Sequence, residues 1–207
     1  MSSEFDRRII SGAILAGGRG QRMGGMDKGL LTFLGRPLFS HVVEILRPQV
    51  GNIVVNANRN HDDYALLGYP VISDHDLTFS GPLAGIARIL DYVTTPYTLI
   101  VPCDMPFLPN HLAASLLAAL KTRGGDAAVA RSGSLLQPLC LLLTHDAQYD
   151  LMDYRGLGGA KVRDWMVRLR HCIVDFPDQP QAFCNINTPH QLRSAGKQLG
   201  TDFPVIS

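Results

Sequence analysis

The stretch AILAGGRGQRMGGMDKGLL, residues 13–31, joins an apolar run to a loop rich in glycine and positive charge. The aliphatic run RIISGAIL, residues 8–15, predicts a buried strand. The following loop holds glycines among Arg19, Arg22 and Lys28. Backbone N–H groups at glycines approach an anion closely, and a bound anion relieves repulsion between neighbouring cations. The stretch therefore favours a phosphate-binding loop over a solvated surface loop.

Short apolar runs alternate with helix-patterned segments over the first 125 residues. NIVVNA (52–57) and YTLIVPCD (97–104) are strand-like runs, and GPLAGIARILDYV (81–93) is one of the helical segments. Parallel strands buried on both faces produce such apolar runs, with helices between them. The pattern predicts an α/β fold with a Rossmann-like, doubly wound, mostly parallel sheet in three α/β/α layers. We expect a single domain over residues 1–207.

The second half of the chain is less regular. DAAVAR (126–131) and LQPLCLLL (136–143) predict paired strands, AKVRDWMVRLR (160–170) an amphipathic helix and HCIVDF (171–176) a further strand. A last helix is predicted to begin with Thr188 as its N-cap, because proline follows at the first helical position and glutamine stands three residues after the cap.

Composition and charge narrow the class of protein. The formal net charge of +1 provides no general basic field, so the ligand is expected to be a small molecule and not nucleic acid. The four cysteines form no C-x-x-C pair, so we expect reduced thiols that act as small core residues. No segment has the length and hydrophobicity of a membrane span. These features predict a soluble cytoplasmic protein that does not bind membranes.

Two common nucleotide-binding templates do not fit the glycine loop. The P-loop order requires Ser or Thr after its lysine, but Gly29 follows Lys28. The dinucleotide pattern G-x-G-x-x-G fits only with a mismatch at Met23, which disfavours an NAD-dependent enzyme.

The loop instead resembles the signature of nucleotidyltransferases that activate sugar phosphates and cofactor precursors, L-A-G-G-x-x-x-R-M-G-x-x-K. Its form here is similar to that of the molybdenum cofactor guanylyltransferases, the MobA type. Further family motifs follow in the family's order, namely VVNANR (54–59), SGPLAGI (80–86), VPCDMPFLP (101–109) and NINTPHQL (185–192). The resemblance implies a nucleotide-diphospho-sugar transferase-like fold and transfer of GMP from GTP to (Mo-)molybdopterin, with release of pyrophosphate.

Asp104 is the candidate metal ligand. It ends the predicted strand YTLIVPC, at the sheet edge from which the glycine loop also emerges. Mg²⁺ typically uses one or two carboxylates together with substrate phosphates. The resemblance implies that Asp104 holds Mg²⁺ against the nucleotide phosphates. Arg22 and Lys28 are predicted to draw charge off the triphosphate, and these two residues and Asp104 form the predicted catalytic set.

The resemblance and the strand-end positions together predict the binding residues. The predicted GTP-binding residues lie in the glycine loop and at strand ends: Leu15, Ala16, Gly17, Gly18, Lys28, Asn56, Asp74 and Asp104. The predicted residues on the molybdopterin side are Asn185, Asn187 and Lys161. The chain is also expected to make transient contacts with molybdenum-insertion and molybdoenzyme-maturation proteins.

Three alternatives stay open from the residues. A molybdopterin cytidylyltransferase is disfavoured, because such enzymes usually have alanine where Gly17 stands and a larger base needs the space that glycine leaves. A sugar-phosphate nucleotidyltransferase is the second alternative. The third is a non-catalytic nucleotide-binding regulatory protein, which the presence of Lys28 and Asp104 disfavours.

Overall fold

The computed structural model describes residues 5–16, 27–75, 81–177, 181–186 and 191. Nine strands occur in these described residues: β1 (Ile10–Leu15), β2 (Thr32–Phe33), β3 (Arg36–Pro37), β4 (Asn52–Asn56), β5 (Val71–Ile72), β6 (Tyr97–Pro102), β7 (Ala127–Ser132), β8 (Leu135–Thr144) and β9 (His171–Asp175). The same residues contain six α-helices: α1 (Leu38–Leu46), α2 (His61–Ala65), α3 (Pro82–Tyr92), α4 (Leu112–Arg123), α5 (Ala147–Gly156) and α6 (Val162–Arg168).

Seven of these strands form one mostly parallel sheet in the order β5-β4-β1-β6-β8-β7-β9. Strands β5, β4, β1 and β6 are mutually parallel. Strand β8 runs antiparallel to both of its neighbours, and β9 is parallel to β7. The remaining two strands, β2 and β3, form a short hairpin. The predicted α/β, Rossmann-like, mostly parallel sheet is confirmed.

The sheet is buried on both faces, which explains the aliphatic character of its central strands. One face packs against α1 and α4, where Ile14, Val55 and Val101 join a large apolar cluster with Phe39 and Leu116. The opposite face packs against α3, α5 and α6 in a second cluster. These two clusters establish the predicted α/β/α layering.

Helix boundaries follow from ordinary local chemistry. Helix α3 has Pro82 in its first turn, where the missing N–H costs no intrahelical hydrogen bond. Helix α4 ends at Gly124, whose φ of 71° lies in the region that glycine adopts readily.

The second half of the chain agrees with the sequence-based expectations in part, and several other elements were not expected. The paired strands, the helix in 160–170 and the strand in 171–176 are present as β7, β8, α6 and β9. Helices α2 and α5 and the β2–β3 hairpin were not predicted. The expectation that all cysteines are core residues is wrong for Cys184, which is exposed, whereas the other three are buried. The predicted Thr188 cap lies outside the described residues.

Within the ranges that the structure describes, no helix combines the length and apolar character needed to cross a bilayer.

Candidate functional site

Three parallel strands place their carboxyl ends side by side at one edge of the sheet. In the register of β1 with its neighbours, Leu15 pairs with Asn56 on one side and with Pro102 on the other. The N–H of Ala16 donates to the Asn56 carbonyl at 2.8 Å, and the N–H of Cys103 donates to the Leu15 carbonyl at 3.1 Å. These bonds bring the chain segments that carry the predicted residues into one region, as expected at the carboxyl edge of an open α/β sheet.

Asp104 lies at the centre of this edge and is nearly buried. Its side chain is 8% exposed, and its Oδ2 lies 3.6 Å from Nζ of Lys28. Nδ2 of Asn185 donates to Oδ1 of Asp104 at 3.2 Å, and the N–H of Ile186 donates to the Asp104 carbonyl at 2.9 Å. The fold therefore brings together three predicted site residues that are far apart in sequence.

The surroundings of the Asp104 carboxylate favour a cation beside it, because burial disfavours its negative charge. Burial raises the pKa of the Asp104 carboxyl above its ordinary value, although the positive charge of Lys28 and the hydrogen bond from Asn185 act in the opposite direction. Among the described residues, these groups and a backbone hydrogen bond offset the effect of burial only in part, and a carboxylate can accept about four hydrogen bonds or ligand bonds. A divalent cation beside Asp104 would complete that compensation.

The described residues contain no group of three or more His, Cys, Asp or Glu side chains arranged to hold a metal ion. Among these residues, Asp104 would contribute a single carboxylate to a bound cation. This arrangement fits Mg²⁺, which commonly keeps several waters and binds one or two carboxylates together with substrate phosphates.

Asp74 is a second strand-end carboxylate and is held by two asparagines. Nδ2 of Asn56 donates to its Oδ1 and Nδ2 of Asn58 donates to its Oδ2, each at 2.9 Å. The Asp74 N–H donates in return to Oδ1 of Asn58 at 2.9 Å. The bond from Asn56 and the reciprocal pair with Asn58 fix the orientation of the Asp74 carboxylate.

Gly85 allows α3 to approach this arrangement closely. A Cβ at position 85 would overlap Oδ1 of Asn56, and it would lie 2.9 Å from Cδ2 of Leu15. Asn56 is buried and its amide also donates to the Ile72 carbonyl at 3.3 Å, so it has little room to move. Gly85, the second glycine of the SGPLAGI motif, is therefore a packing requirement at the predicted GTP site.

Asp27, immediately before Lys28, was not among the predicted site residues. Its side chain is 5% exposed and lies 3.5 Å from Nε of Arg59. Tyr64 Oη donates to Oδ1 of Asp27 at 2.5 Å, and Asn60 Nδ2 donates to Oδ2 at 3.0 Å. Asn58 was also missed. The sequence signals that could have found these residues are the position of Asp27 next to Lys28 and the alternation of Asn58 with Asn56 in VVNANR.

Lys161 is exposed and precedes α6 as its N-cap residue. Its carbonyl accepts hydrogen bonds from the Trp165 N–H at 3.1 Å and from Tyr154 Oη at 3.3 Å. A Cβ at Gly81 would lie 3.9 Å from the Ala160 carbonyl oxygen, so the segment before α6 borders the start of α3. Within the described part of the chain, the Lys161 ammonium makes no hydrogen bond or ion pair with Asp104.

Four other predicted site residues lie outside the described residues: Gly17, Gly18, Arg22 and Asn187. Their roles stay predictions.

Cys103 precedes Asp104 but is unsuited to nucleophilic catalysis. Burial raises the pKa of its thiol well above the ordinary value, and the negative charges of Asp104 and Asp27 raise it further. A buried thiol with a raised pKa stays protonated near neutrality, so Cys103 contributes packing and not reactivity.

Comparison with known proteins gives a consistent assignment. The model of the MobA-like NTP transferase domain matches residues 12–172. The molybdenum cofactor guanylyltransferase of Shewanella woodyi is 43% identical over 191 residues, which cover 92% of this chain and 97% of that protein. The protein of the same name from Shewanella pealeana is 39% identical over 193 residues, which cover 93% and 96% of the two chains.

Solved structures share the fold. Molybdopterin-guanine dinucleotide biosynthesis protein A from Archaeoglobus fulgidus superposes with a TM-score of 0.75 at 24% identity, over 92% of this chain and 98% of that one. The 2-C-methyl-D-erythritol 4-phosphate cytidylyltransferase from Thermus thermophilus gives a TM-score of 0.69 at 16% identity, over 91% and 98% of the two chains. Because one of these two proteins is named for molybdopterin-guanine dinucleotide biosynthesis and the other as a cytidylyltransferase, the fold alone does not identify the nucleotide.

Proposed function

This chain belongs to the MobA-like NTP transferase family and is a nucleotidyltransferase, and from this premise we propose that it transfers GMP from GTP to molybdopterin, giving molybdopterin guanine dinucleotide and pyrophosphate. Relatives named molybdenum cofactor guanylyltransferase support this reaction, since they are up to 43% identical and align over 92% of this chain. Among the alternatives, their names favour GTP over CTP and molybdopterin over a sugar phosphate.

The convergence of Lys28, Asp104 and Asn185 is the structural observation that carries the proposal. A positive charge 3.6 Å from a nearly buried carboxylate, at the carboxyl edge of a parallel sheet, is suited to binding a substrate whose charge changes during reaction. A nucleotide-binding regulator has no need for this incompletely compensated buried charge.

The proposed step is a displacement at the α-phosphorus of GTP. An oxygen of the molybdopterin phosphate forms a bond to this phosphorus, while the bond to the bridging oxygen of pyrophosphate breaks and its electron pair leaves with the pyrophosphate. A phosphate monoester has a second pKa near 6 and is mostly ionised at neutral pH, so the step needs no general base. The protein contributes position and charge.

Lys28 would stabilise negative charge that develops on the triphosphate, because its ammonium group stands beside the buried edge of the sheet. Its side chain is 30% exposed and its amine is within Coulombic reach of Asp104, so it can turn from the carboxylate towards a phosphate. Arg22 is proposed to act in the same way.

We also propose that Asp104 holds Mg²⁺ during the reaction. Among the described residues, burial outweighs the groups that stabilise its charge and raises its pKa, so a cation beside the carboxylate would be favourable. When bound, Mg²⁺ would neutralise charge on the phosphate oxygens. Asn185 keeps the carboxylate oriented through its bond to Oδ1.

The remaining predicted contacts are proposed in two groups. The nucleotide would lie along the backbone of Leu15, Ala16, Gly17 and Gly18, with Asn56 and Asp74 at its side, since β1 and β4 end there. The pterin would lie towards Asn185, Asn187 and Lys161.

We propose that the enzyme works in the cytoplasm and passes its product to molybdoenzyme-maturation proteins through transient contacts. The wide spacing of its four cysteines, which form no C-x-x-C pair, supports reduced thiols in such a compartment.

A nucleotide panel tests the proposed reaction. Purified protein, Mg²⁺ and molybdopterin are incubated with GTP, CTP, ATP or UTP, and pyrophosphate release is measured. Release with GTP is expected. Release with CTP in its place would assign a cytidylyltransferase, and nucleotide binding without release would assign a regulator. Lys28→Ala and Asp104→Ala are each expected to lower kcat by at least about a hundredfold; near-normal turnover of either variant would refute the role of that residue.

A further inference from the structure

The carboxylate of Asp27 is engaged at both oxygens, although it carries no assigned role. Oδ1 accepts from Tyr64 Oη at 2.5 Å and from the N–H of Gly29 at 3.3 Å. Oδ2 accepts from Asn60 Nδ2 at 3.0 Å and lies 3.5 Å from Nε of Arg59. With 5% of its side chain exposed, Asp27 is shielded from water, so these interactions are stronger than at an open surface.

The partners of Asp27 belong to two different parts of the fold. Gly29 lies in the short 3-10 turn Lys28–Leu30, for which Asp27 is the N-cap residue. The other three partners, two hydrogen-bond donors and the Arg59 guanidinium, belong to α2 and to the residues just before it. The single carboxylate therefore ties the backbone at Lys28 to the segment that follows β4.

Tyr64 makes this attachment rigid. Its side chain is fully buried and packs edge to face against Phe39, with ring centroids 4.7 Å apart. Burial raises the pKa of Tyr64 well above its ordinary value, so the hydroxyl keeps its proton and acts as a donor. The phenol also limits position 29, because a Cβ there would overlap Oη and lie 3.1 Å from Cζ of Tyr64.

Lys28 directly follows Asp27 in the chain, so this attachment also holds its backbone. Its carbonyl accepts from the N–H of Leu31 at 3.2 Å, and the Asp27 carbonyl accepts from the N–H of Leu30 at 3.2 Å. The backbone of Lys28 is thus held on both sides, while its long side chain extends to a point 3.6 Å from Asp104. A lysine is flexible along its stem, so the position of its ammonium depends on how firmly the backbone is held.

We propose that Asp27 is a positioning residue, which anchors the backbone to Tyr64 and Asn60 so that the Lys28 ammonium reaches the Asp104 edge of the site. This inference rests on the proposed catalytic role of Lys28. It assigns to the aspartate of the GGxDK motif a function in the reaction that involves no contact with substrate. A purely structural aspartate would support folding equally well whether or not residue 28 is a lysine.

A double-mutant cycle separates these two roles. Asp27→Asn, Lys28→Ala and the double variant are compared by pyrophosphate release from GTP and molybdopterin with Mg²⁺. Asp27→Asn is expected to lower kcat by about ten- to a hundredfold when Lys28 is present, because small misplacements of a catalytic group have effects of this size. In the Lys28→Ala background the loss is expected to fall below about threefold. Equal losses in both backgrounds would overturn the proposal.

Asp63→Asn is the matched control, because Asp63 is exposed on α2 and its replacement removes the same charge. Its kcat is expected to stay within about twofold of the unmodified protein. Tyr64→Phe removes one donor and keeps the buried ring, so it should reduce kcat in the same direction but less. This variant keeps the test decisive if Asp27→Asn fails to fold.

The reactivity of the Lys28 amine provides a readout that does not depend on turnover. Acetylation of Lys28 by acetic anhydride is followed by mass spectrometry, with the exposed Lys121 as the internal reference. Because the Lys28 side chain is 30% exposed, its release in Asp27→Asn should raise its relative rate by about threefold. Asp63→Asn should leave this rate unchanged. An unchanged rate in Asp27→Asn would refute the positioning role. Failure of the proposed reaction would appear separately, as no pyrophosphate release by the unmodified protein.

Discussion

Replacement of Gly85 by alanine tests the close approach of α3 to the nucleotide edge. The new Cβ would overlap Oδ1 of Asn56 and lie 2.9 Å from Cδ2 of Leu15, so Asn56 must rotate away. That rotation breaks its 2.9 Å bond to Asp74, and a hydrogen bond to a charged group contributes about 1.5–3 kcal/mol. Overpacking typically costs about 1–3 kcal/mol, whereas alanine gains about 1 kcal/mol in a helix interior. We expect a net loss of about 1.5–5 kcal/mol in the free energy of unfolding.

Urea denaturation followed by Trp165 fluorescence measures this loss, because Trp165 is the only tryptophan and is fully buried. In thermal denaturation the expected drop in Tm is about 3–20 °C. KM for GTP should rise because Asp74 loses one of its two amide donors. Gly156→Ala is the matched control, since Gly156 ends α5 and a Cβ there meets nothing within 4 Å. The control should keep or gain stability. If Gly85→Ala matched the control in both stability and KM, the close approach would not constrain this position.

Three further predictions concern the same edge of the sheet and the thiols. Asp104→Asn should abolish Mg²⁺-dependent turnover. In addition, burial raises the pKa of Asp104 in the folded state, so the wild type should lose stability relative to this variant as pH rises from about 4 through that raised pKa. If the urea midpoints of the two proteins changed equally with pH over this range, the predicted direction would be wrong. Asn58→Ala should raise KM for GTP about tenfold, or ~1.4 kcal/mol, with little change in kcat, because it removes the Asn58 donor to Oδ2 of Asp74. Asn52→Ala, on the exposed start of β4, is the control. An equal KM in both variants would show that Asn58 does not support the site. A thiol reagent should label Cys184 rapidly and the three buried cysteines only on unfolding, and fast labelling of a second thiol in the native protein would disprove their burial.

The parallel half of the fold was predictable because its strands are short, aliphatic and followed by helices with regular apolar spacing. The strand-end residues Leu15, Asn56 and Asp104 could be grouped for the same reason, since parallel strands end at one edge of the sheet. Sheet geometry alone therefore predicts that these three residues, which are far apart in sequence, lie at the same edge of the sheet.

Helix α5 illustrates what periodicity does not reveal. Only Ala147 and Leu151 of this helix are buried, whereas the apolar side chains of Tyr149 and Met152 are exposed. Its residues therefore lack the single apolar stripe from which a helix is recognised. The helix is held by packing against α3 and α6, which depends on tertiary structure.

The supports of the site were missed for a related reason. Asp27 and Tyr64 are 37 residues apart and Asn58 and Asp74 are 16 residues apart, yet both pairs are hydrogen bonded. Hydrogen bonds between side chains depend on the final approach of separate elements, and no local spacing encodes that approach. The extent of burial around Asp104, and with it the raised pKa, likewise follows from packing and not from its sequence neighbours.

The bond between Asn185 and Asp104 spans 81 residues of chain and therefore has a consequence for the order of synthesis. A ribosome makes β1, β4 and β6 first, and these strands can pair while later residues are still absent. Until the segment around residue 185 has emerged, the Asp104 side chain lacks the amide donor of Asn185 and its carbonyl lacks the N–H of Ile186. A product that ends before residue 185 would therefore lack both contacts, and its Asp104 carboxylate would stay without this support even if the strands around it had paired.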